Sequence, residues 1–276
     1  MISGEHLQSI AEISLYNEMT DLIRNQNQSM PQKLVKISDL DPGQIKKYKV
    51  IYVYTHFLDS FFNKFFEHLN DNTILISHNS DLGIHSHYLK YLEGNKIKKW
   101  YCQNRETSHP KLFSIPIGLA NSQWPHGNQD LIKNIRDKNN KKDILVYKNF
   151  DINTNSYERN LCNSLTNNNG IPLSTHQTIS NYWNTISKSV FIISPPGNGI
   201  DCHRVWEALY LRCVPVIKEH EAFSQFKHLP ILFVNNWEEV TIDFLKSKVS
   251  LYLDKEKLFD IPLLEIDYWR NTILND

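Results

Sequence analysis

Twice along the chain, short runs of β-branched and aromatic residues alternate with helix-patterned stretches, and a polar segment parts the two rounds. In the first round "KVIYVYTH" (49–56), "NTILISHNS" (72–80), "IKKWYCQN" (97–104) and "KLFSIPIGL" (111–119) read as strands. Between them, "FLDSFFNKFFEHL" (57–69) sets Phe57, Phe61, Phe62, Phe65 and Phe66 in the stripe of a packed helix, and "SHYLKYLEGN" (86–95) reads as a helix stopped at Gly94. Leu7, Ile10, Leu15, Met19, Leu22 and Ile23 recur near helical spacing and predict an opening helix ended by Pro31. The second round has strands at 143–150, 190–195, 213–217 and 231–237, helices at 156–168 and 178–189, and a last helix near 263–274.

Alternation of this kind builds parallel sheets covered by helices. The expectation is an α/β chain of two Rossmann-like domains facing a central cleft, with ligands beyond the carboxyl ends of the strands. The polar stretch 120–143 marks the junction. We expect an N-terminal, acceptor-side domain over residues 1–125, a linker at 126–142 and a second domain at 143–262. A C-terminal helix at 263–276 would pack back on the first.

Charge narrows the partners. Lys and Arg number 30, as do Asp and Glu, so no net field draws the chain to nucleic acid or an anionic membrane. The basic tract "KNNKK" (138–142) reads as a solvated linker. Cys102, Cys162, Cys202 and Cys213 have no CxxC spacing, which argues for free thiols rather than a disulfide framework. No apolar run has signal-peptide or membrane-span length, so the expectation is a soluble, cytoplasmic protein. Nothing in the sequence speaks to oligomeric state.

The segment "SPPGNGIDCHRVWEALYLRCVPVI" (194–217) carries the chemistry. A Pro/Gly turn between a buried strand and a helix N-terminus offers free amides to an anion. Gly197 and Gly199 would take positive φ and let the backbone approach a ligand, while Asn198 or Asp201 would cap the helix. Along the helix, Cys202, Val205, Trp206 and Leu209 form the buried stripe, leaving His203, Arg204 and Glu207 on the other face. That face reads as a ligand wall, or as a surface salt bridge between Arg204 and Glu207. The turn lacks the third glycine of the dinucleotide fingerprint and the Lys-Ser/Thr of a P-loop.

This segment resembles the donor-binding motif of exostosin-like glycosyltransferases (glycosyltransferase family 47), with its Pro/Gly turn, Arg, Glu-Ala-Leu and Cys-x-Pro-Val strand. Small anchorless relatives carried by large DNA viruses resemble it most. The likeness covers about the last 130 residues. It implies a GT-B fold and an inverting reaction from a UDP-sugar to a hydroxyl of a glycan acceptor. Carried onto this sequence, Glu207 would hold the donor ribose, and Arg204 with the amides of Asn198, Gly199 and Ile200 would neutralise the diphosphate. Arg159 would be a second phosphate-facing Arg, or a surface residue. Ser194, Gly197, Asp201, His203 and Tyr147 complete the expected donor site. The departure is Arg212, where the family usually has Gly.

Inverting transfer also needs a base for the acceptor proton. "HNSDLGIHSH" follows the strand 72–78 and puts His78 and Asp81 at a carboxyl edge. Asp81 is the first candidate and His78 the second, with a turn or cap role open for Asp81. His56 and Trp124 are candidate acceptor contacts. His78, His85 and His87 could bind zinc, and "DLD" (39–41) has the spelling of a metal-diphosphate motif, but both settings are poor. The expectation is metal-independent transfer with no cofactor beyond the donor. The rival readings are a sugar-nucleotide-binding protein without chemistry and a nucleotide-dependent oxidoreductase.

Overall fold

The computed structural model describes residues 1–18, 33–253 and 255–275. The chain divides into two compact units. One runs from Ile2 to Ile117 and takes in the segment from Glu265 onward; the other is the stretch Gly118–Leu264, to which Met1 is also assigned.

The first unit holds a six-stranded, wholly parallel sheet in the order β2-β1-β3-β4-β5-β6. Its strands are β1 (Ile13–Tyr16), β2 (Leu34–Lys36), β3 (Val50–Tyr54), β4 (Thr73–His78), β5 (Ile97–Cys102) and β6 (Leu112–Ser114). Every residue of β3 and β4 is buried, as central strands covered on both faces require. Helix α2 (Leu58–Phe65) lays Leu58, Phe61, Phe62 and Phe65 into the core. The Phe62 ring stacks on Tyr91 at 3.8 Å and meets Trp100 edge-on at 5.4 Å. Asn79 and Asn104 take left-handed φ just past the ends of β4 and β5, a conformation that asparagine tolerates better than other side chains.

Helix α1 (Gly4–Ile10) is capped by Ser3, whose hydroxyl accepts from the His6 amide. The opening helix is shorter than its spacing predicts. It stops at Ile10, and Ile13–Tyr16 pairs with β3 as a strand, so Leu15 belongs to the sheet. The expected continuation through Met19, Leu22, Ile23 and Pro31 lies outside the described residues. Likewise Ser86–Tyr91 forms a 3-10 turn rather than an α-helix, and Gly94 turns the chain at φ +79°.

The second unit is a four-stranded parallel sheet in the order β10-β9-β8-β7. The strands are β7 (Ile144–Tyr147), β8 (Ser189–Ile193), β9 (Val214–Lys218) and β10 (Leu232–Val234). Its helices are α3 (Gln129–Asp137), α4 (Ser156–Asn168), α5 (Ile179–Lys188), α6 (His203–Tyr210) and α7 (Ile242–Tyr252). Lys148, fully buried, ties β7 to α4: its ammonium donates to Thr166 Oγ1 and Asn167 Oδ1, both at 2.8 Å.

Two boundary expectations change. The division falls at Gly118, not after 125, and residues 126–142 are not a bare linker. Asn128 caps α3, whose Ile132 and Ile135 are buried and which packs against α5. Apolar residues only three apart, set among many polar ones, hide this helix in the sequence. At the far end, α8 (Ile266–Leu274) packs on α1, with Trp269 edge-on to Tyr101 at 6.4 Å. The α/β class and the two parallel, Rossmann-like sheets expected from the sequence are both present. No helix among the described residues is long and apolar enough to cross a membrane.

Candidate donor-binding site

β8 is buried throughout and delivers the chain to Ser194, whose amide donates to Val216 O at 2.9 Å. The Pro/Gly turn follows, and α6 begins after Cys202, which caps it without a side-chain bond. Within the turn, the Gly197 amide donates to Gly199 O at 3.0 Å, and Gly197 O accepts from Asn155 Nδ2 at 2.9 Å. The amides of Asn198, Gly199 and Ile200 make no hydrogen bond among the described residues. These three donors face no internal acceptor, which is how an anion site begins.

Two arginines stand behind this turn. Arg159, on α4, is buried; its Nε donates to Pro196 O at 2.9 Å and its Nη1 to Asp151 O at 2.5 Å. Arg204, on α6, donates from Nε to Asn149 O at 3.1 Å. Both guanidinium carbons lie 5.7 Å from the Phe150 ring centroid. Burial and the charge of Arg204 lower the pKa of Arg159, so the two cations repel across a shared ring. A dianion between them would relieve that repulsion.

Glu207 is buried on the same helix. Burial pushes its carboxyl up to about 7, against the pull of Arg204 and of Tyr182 and Trp183 beside it. Tyr147, buried at the end of β7, accepts from Asn149 Nδ2 at 2.8 Å and lies 6.0 Å from the Tyr182 ring. Glu207 is buried and Arg204 half-buried beside it, so the two are not a surface pair.

Several expectations about the turn are corrected. Neither Gly197 nor Gly199 has positive φ. Gly197 is needed for closeness instead: a Cβ there would sit 3.0 Å from Arg159 Nη2. Its amide is spent inside the turn, so it is not a donor for phosphate. Asp201 does not cap α6; its Oδ1 accepts from Trp206 Nε1 at 2.7 Å, a core bond. Asn198 does not cap α6 either. His203 Nδ1 lies 2.8 Å from Gly118 O, which ties the start of α6 to residue 118. Asp201 and His203 thus brace the turn from behind.

A cavity of about 340 Å³ opens beside the turn, with Ile200, Val205, Ile217 and Phe223 in its wall. Ser194 lines it too, and its buried hydroxyl has no hydrogen-bond partner. Tyr157, Glu158, Lys218 and His220 also line it, and the sequence does not single them out. Glu158 is held by Trp237 Nε1 at 2.7 Å and by Lys218 at 3.2 Å. Only the neighbourhood of Arg159 in "NTNSYERN" hints at them.

In the first unit, His78 ends β4 fully buried. Its Nε2 donates to Pro116 O at 3.0 Å, and burial lowers its pKa to about 4. A neutral imidazole sealed in this way cannot take a proton from an acceptor, so His78 leaves the list of catalytic candidates. Asp81 is exposed, with no hydrogen bond or ion pair among the described residues; the turn bond there is from the Leu82 amide to Ser80 Oγ at 3.0 Å. His56 is exposed as well, its Nε2 3.5 Å from Ser80 Oγ. Asp81 and His56 thus follow β4 and β3 at one carboxyl edge. Trp124, in the other unit, is half exposed and stacks on His126 at 6.2 Å.

Among the described residues no group of three His, Cys, Asp or Glu is placed to hold a metal. In "DLD", Asp41 caps a turn by accepting from the Gly43 amide at 2.9 Å.

Residues 137–258 match the family model of the RXYLT1 C-terminal domain. The exostosin-like resemblance is borne out over this stretch, which is less than half of the chain. Among curated proteins none matches the chain. Three of the solved structures that it resembles are sugar transferases. A glycosyltransferase from Rickettsia africae ESF-5 is 12% identical, covering 98% of this chain and 89% of its own, with a TM-score of 0.48. A DNA-modifying β-glucosyltransferase, solved with and without uridine diphosphoglucose, is 11% identical over 88% and 85%, at 0.40. An α-glucosyltransferase in complex with UDP-glucose and DNA containing an abasic site is 11% identical over 88% and 82%, at 0.32. Scores this low do not extend the likeness to function.

Proposed function

We propose that the chain is an inverting, metal-independent glycosyltransferase that uses a UDP-sugar and a hydroxyl acceptor on a glycan. The observation that carries this reading is the pairing of three unspent amides, at Asn198, Gly199 and Ile200, with two guanidinia that share the Phe150 ring. A diphosphate leaving group gathers negative charge as its bond to the sugar breaks. Fixed amides and cations at that point stabilise the transition state more than the ground state. Two arginines supply in this reading the charge that a metal supplies elsewhere.

In the proposed step, the acceptor oxygen attacks the anomeric carbon from the face opposite the diphosphate. The carbon–oxygen bond to the diphosphate breaks, UDP departs with the electron pair, and the acceptor proton passes to Asp81. An exposed carboxylate without partners is free to take that role. His56 at the same edge is the proposed acceptor contact. Glu207 is the proposed ribose partner, and the cavity with the orphan Ser194 hydroxyl is where the nucleoside would lie.

Thermal-shift screening with UDP, GDP and NAD tests the donor class. A ligand at 100 times its dissociation constant adds about 2.7 kcal/mol. Stabilisation by UDP alone is the expected result; equal response to NAD, or none to UDP, would overturn the reading.

A further inference from the structure

A second cavity, of about 390 Å³, lies at the opposite edge of the same sheet. Val190, the second residue of β8, and Val214, the first of β9, are in its wall, whereas the donor turn leaves the far end of β8. Tyr252, Leu253 and Phe259 extend the apolar surface. Around it stand four cations: Lys141, Lys142, Arg212 and Lys255. No carboxylate lines it among the described residues.

The cations are held there at some cost. Arg212 sits at φ +57°, directly after the last turn of α6. The bonds Cys213 N to Ala208 O at 2.8 Å and Arg212 N to Leu209 O at 3.1 Å close a Schellman motif, whose left-handed position glycine fills most easily. Here an arginine fills it and reaches Asn139 Oδ1 at 2.7 Å. Lys142 was expected to be solvated. Instead it is partly buried and donates to Leu211 O at 3.1 Å, and burial and Arg212 lower its pKa to about 8. Asp137, whose carboxyl is held below its ordinary pKa by Lys133 first and by Arg136 and Arg212 less, is exposed and paired with Lys133 at 2.8 Å.

From this geometry we infer a second ligand site, for a small organic phosphate. The phosphate would face the four cations, and an apolar or aromatic body would lie on Val190, Val214, Tyr252 and Phe259. A dianion answers clustered cations better than a carboxylate does, and the apolar floor gives an organic ester an advantage over the bare ion. A nucleotide and a lipid-like phosphate share this chemistry.

Calorimetry on the full chain tests it with phenyl phosphate, hexyl phosphate, adenosine monophosphate and inorganic phosphate as probes. At least one of the three organic probes should bind about tenfold more tightly than inorganic phosphate. Better binding of hexyl phosphate marks a lipid-like body, and better binding of adenosine monophosphate a nucleotide. Arg212→Gly relieves the left-handed position, so it should fold, and it should weaken that probe about tenfold. Lys255→Ala, on the exposed rim, should weaken it less, and Arg204→Ala should leave it unchanged. If no organic probe outbinds inorganic phosphate, if the binding survives Arg212→Gly and Lys255→Ala, or if it is lost in Arg204→Ala, the site does not exist.

Discussion

Arg159 and Arg204 hold their guanidinium carbons at the same distance, 5.7 Å, from the ring of Phe150. They come from helices α4 and α6, and each is anchored by a backbone carbonyl, Pro196 O for one and Asn149 O for the other. Two like charges fixed in this way store repulsion that an anion discharges. Arg159→Ala and Arg204→Ala should each weaken UDP binding about 10- to 100-fold, since a hydrogen bond to a charged group contributes roughly 1.5–3 kcal/mol. Uridine should bind both variants as it binds the parent. Calorimetric titration checks this, and an unchanged UDP affinity would remove the arginines from the donor site.

Glu207 makes the second unit sensitive to pH. Its carboxyl is raised from 4.5 in the free residue to about 7 in the fold. The folded state therefore prefers the protonated form. That contribution is whole below pH 4.5, declines as pH rises and is gone above about 7. The span corresponds to something on the order of 3 kcal/mol. Glu207→Gln should flatten the dependence of stability on pH over this window, read from urea midpoints. If the ionised carboxylate accepts from the ribose, UDP affinity of the parent should also rise from pH 6 to 8.

His78 acts in the opposite sense on the first unit. Its pKa falls from 6.5 to about 4 through burial. The fold prefers the neutral ring, so its contribution is present above pH 6.5 and is lost as pH falls through 4. Thermal melts at stepwise lower pH should show the first unit weakening between pH 6.5 and 4. His78→Gln should remove that step without making the variant inactive, if it folds at neutral pH.

Asp81→Asn should lower kcat by about 10²- to 10⁴-fold, the worth of a positioned base, with UDP affinity unchanged. His56→Gln should act on acceptor KM more than on kcat. Sugar transfer assays at saturating donor separate the two. Full activity in Asp81→Asn would move the base elsewhere.

Much of the fold was legible because buried parallel strands are continuous apolar runs, as "VIYVY" and "TILIS" show. Strands β1 and β2 escaped because they are only four and three residues long, and because Leu15 fell by chance on the helical spacing of Leu7 and Ile10. Helix α3 escaped because two buried isoleucines do not stand out among Asn, Lys and Asp. The site was legible as a motif and not as bonds. Asp201 and His203 looked available for a ligand, yet their partners are Trp206 and, 85 residues away in sequence, Gly118. His78 looked like an edge residue because nothing in the local spelling says that Pro116 covers it. Arg212 was legible as a departure from glycine, and its φ of +57° is the left-handed strain that the departure implied. That strain is worth about 1 kcal/mol.

The unit built from residues 2–117 takes its last helix from the segment after Glu265, while residues 118–264 lie in one uninterrupted run. During synthesis the later-made unit can therefore finish folding before the earlier one. The first unit emerges with α1 and the Tyr101 side of its sheet uncovered, and must wait for α8 to be translated before that surface is sealed.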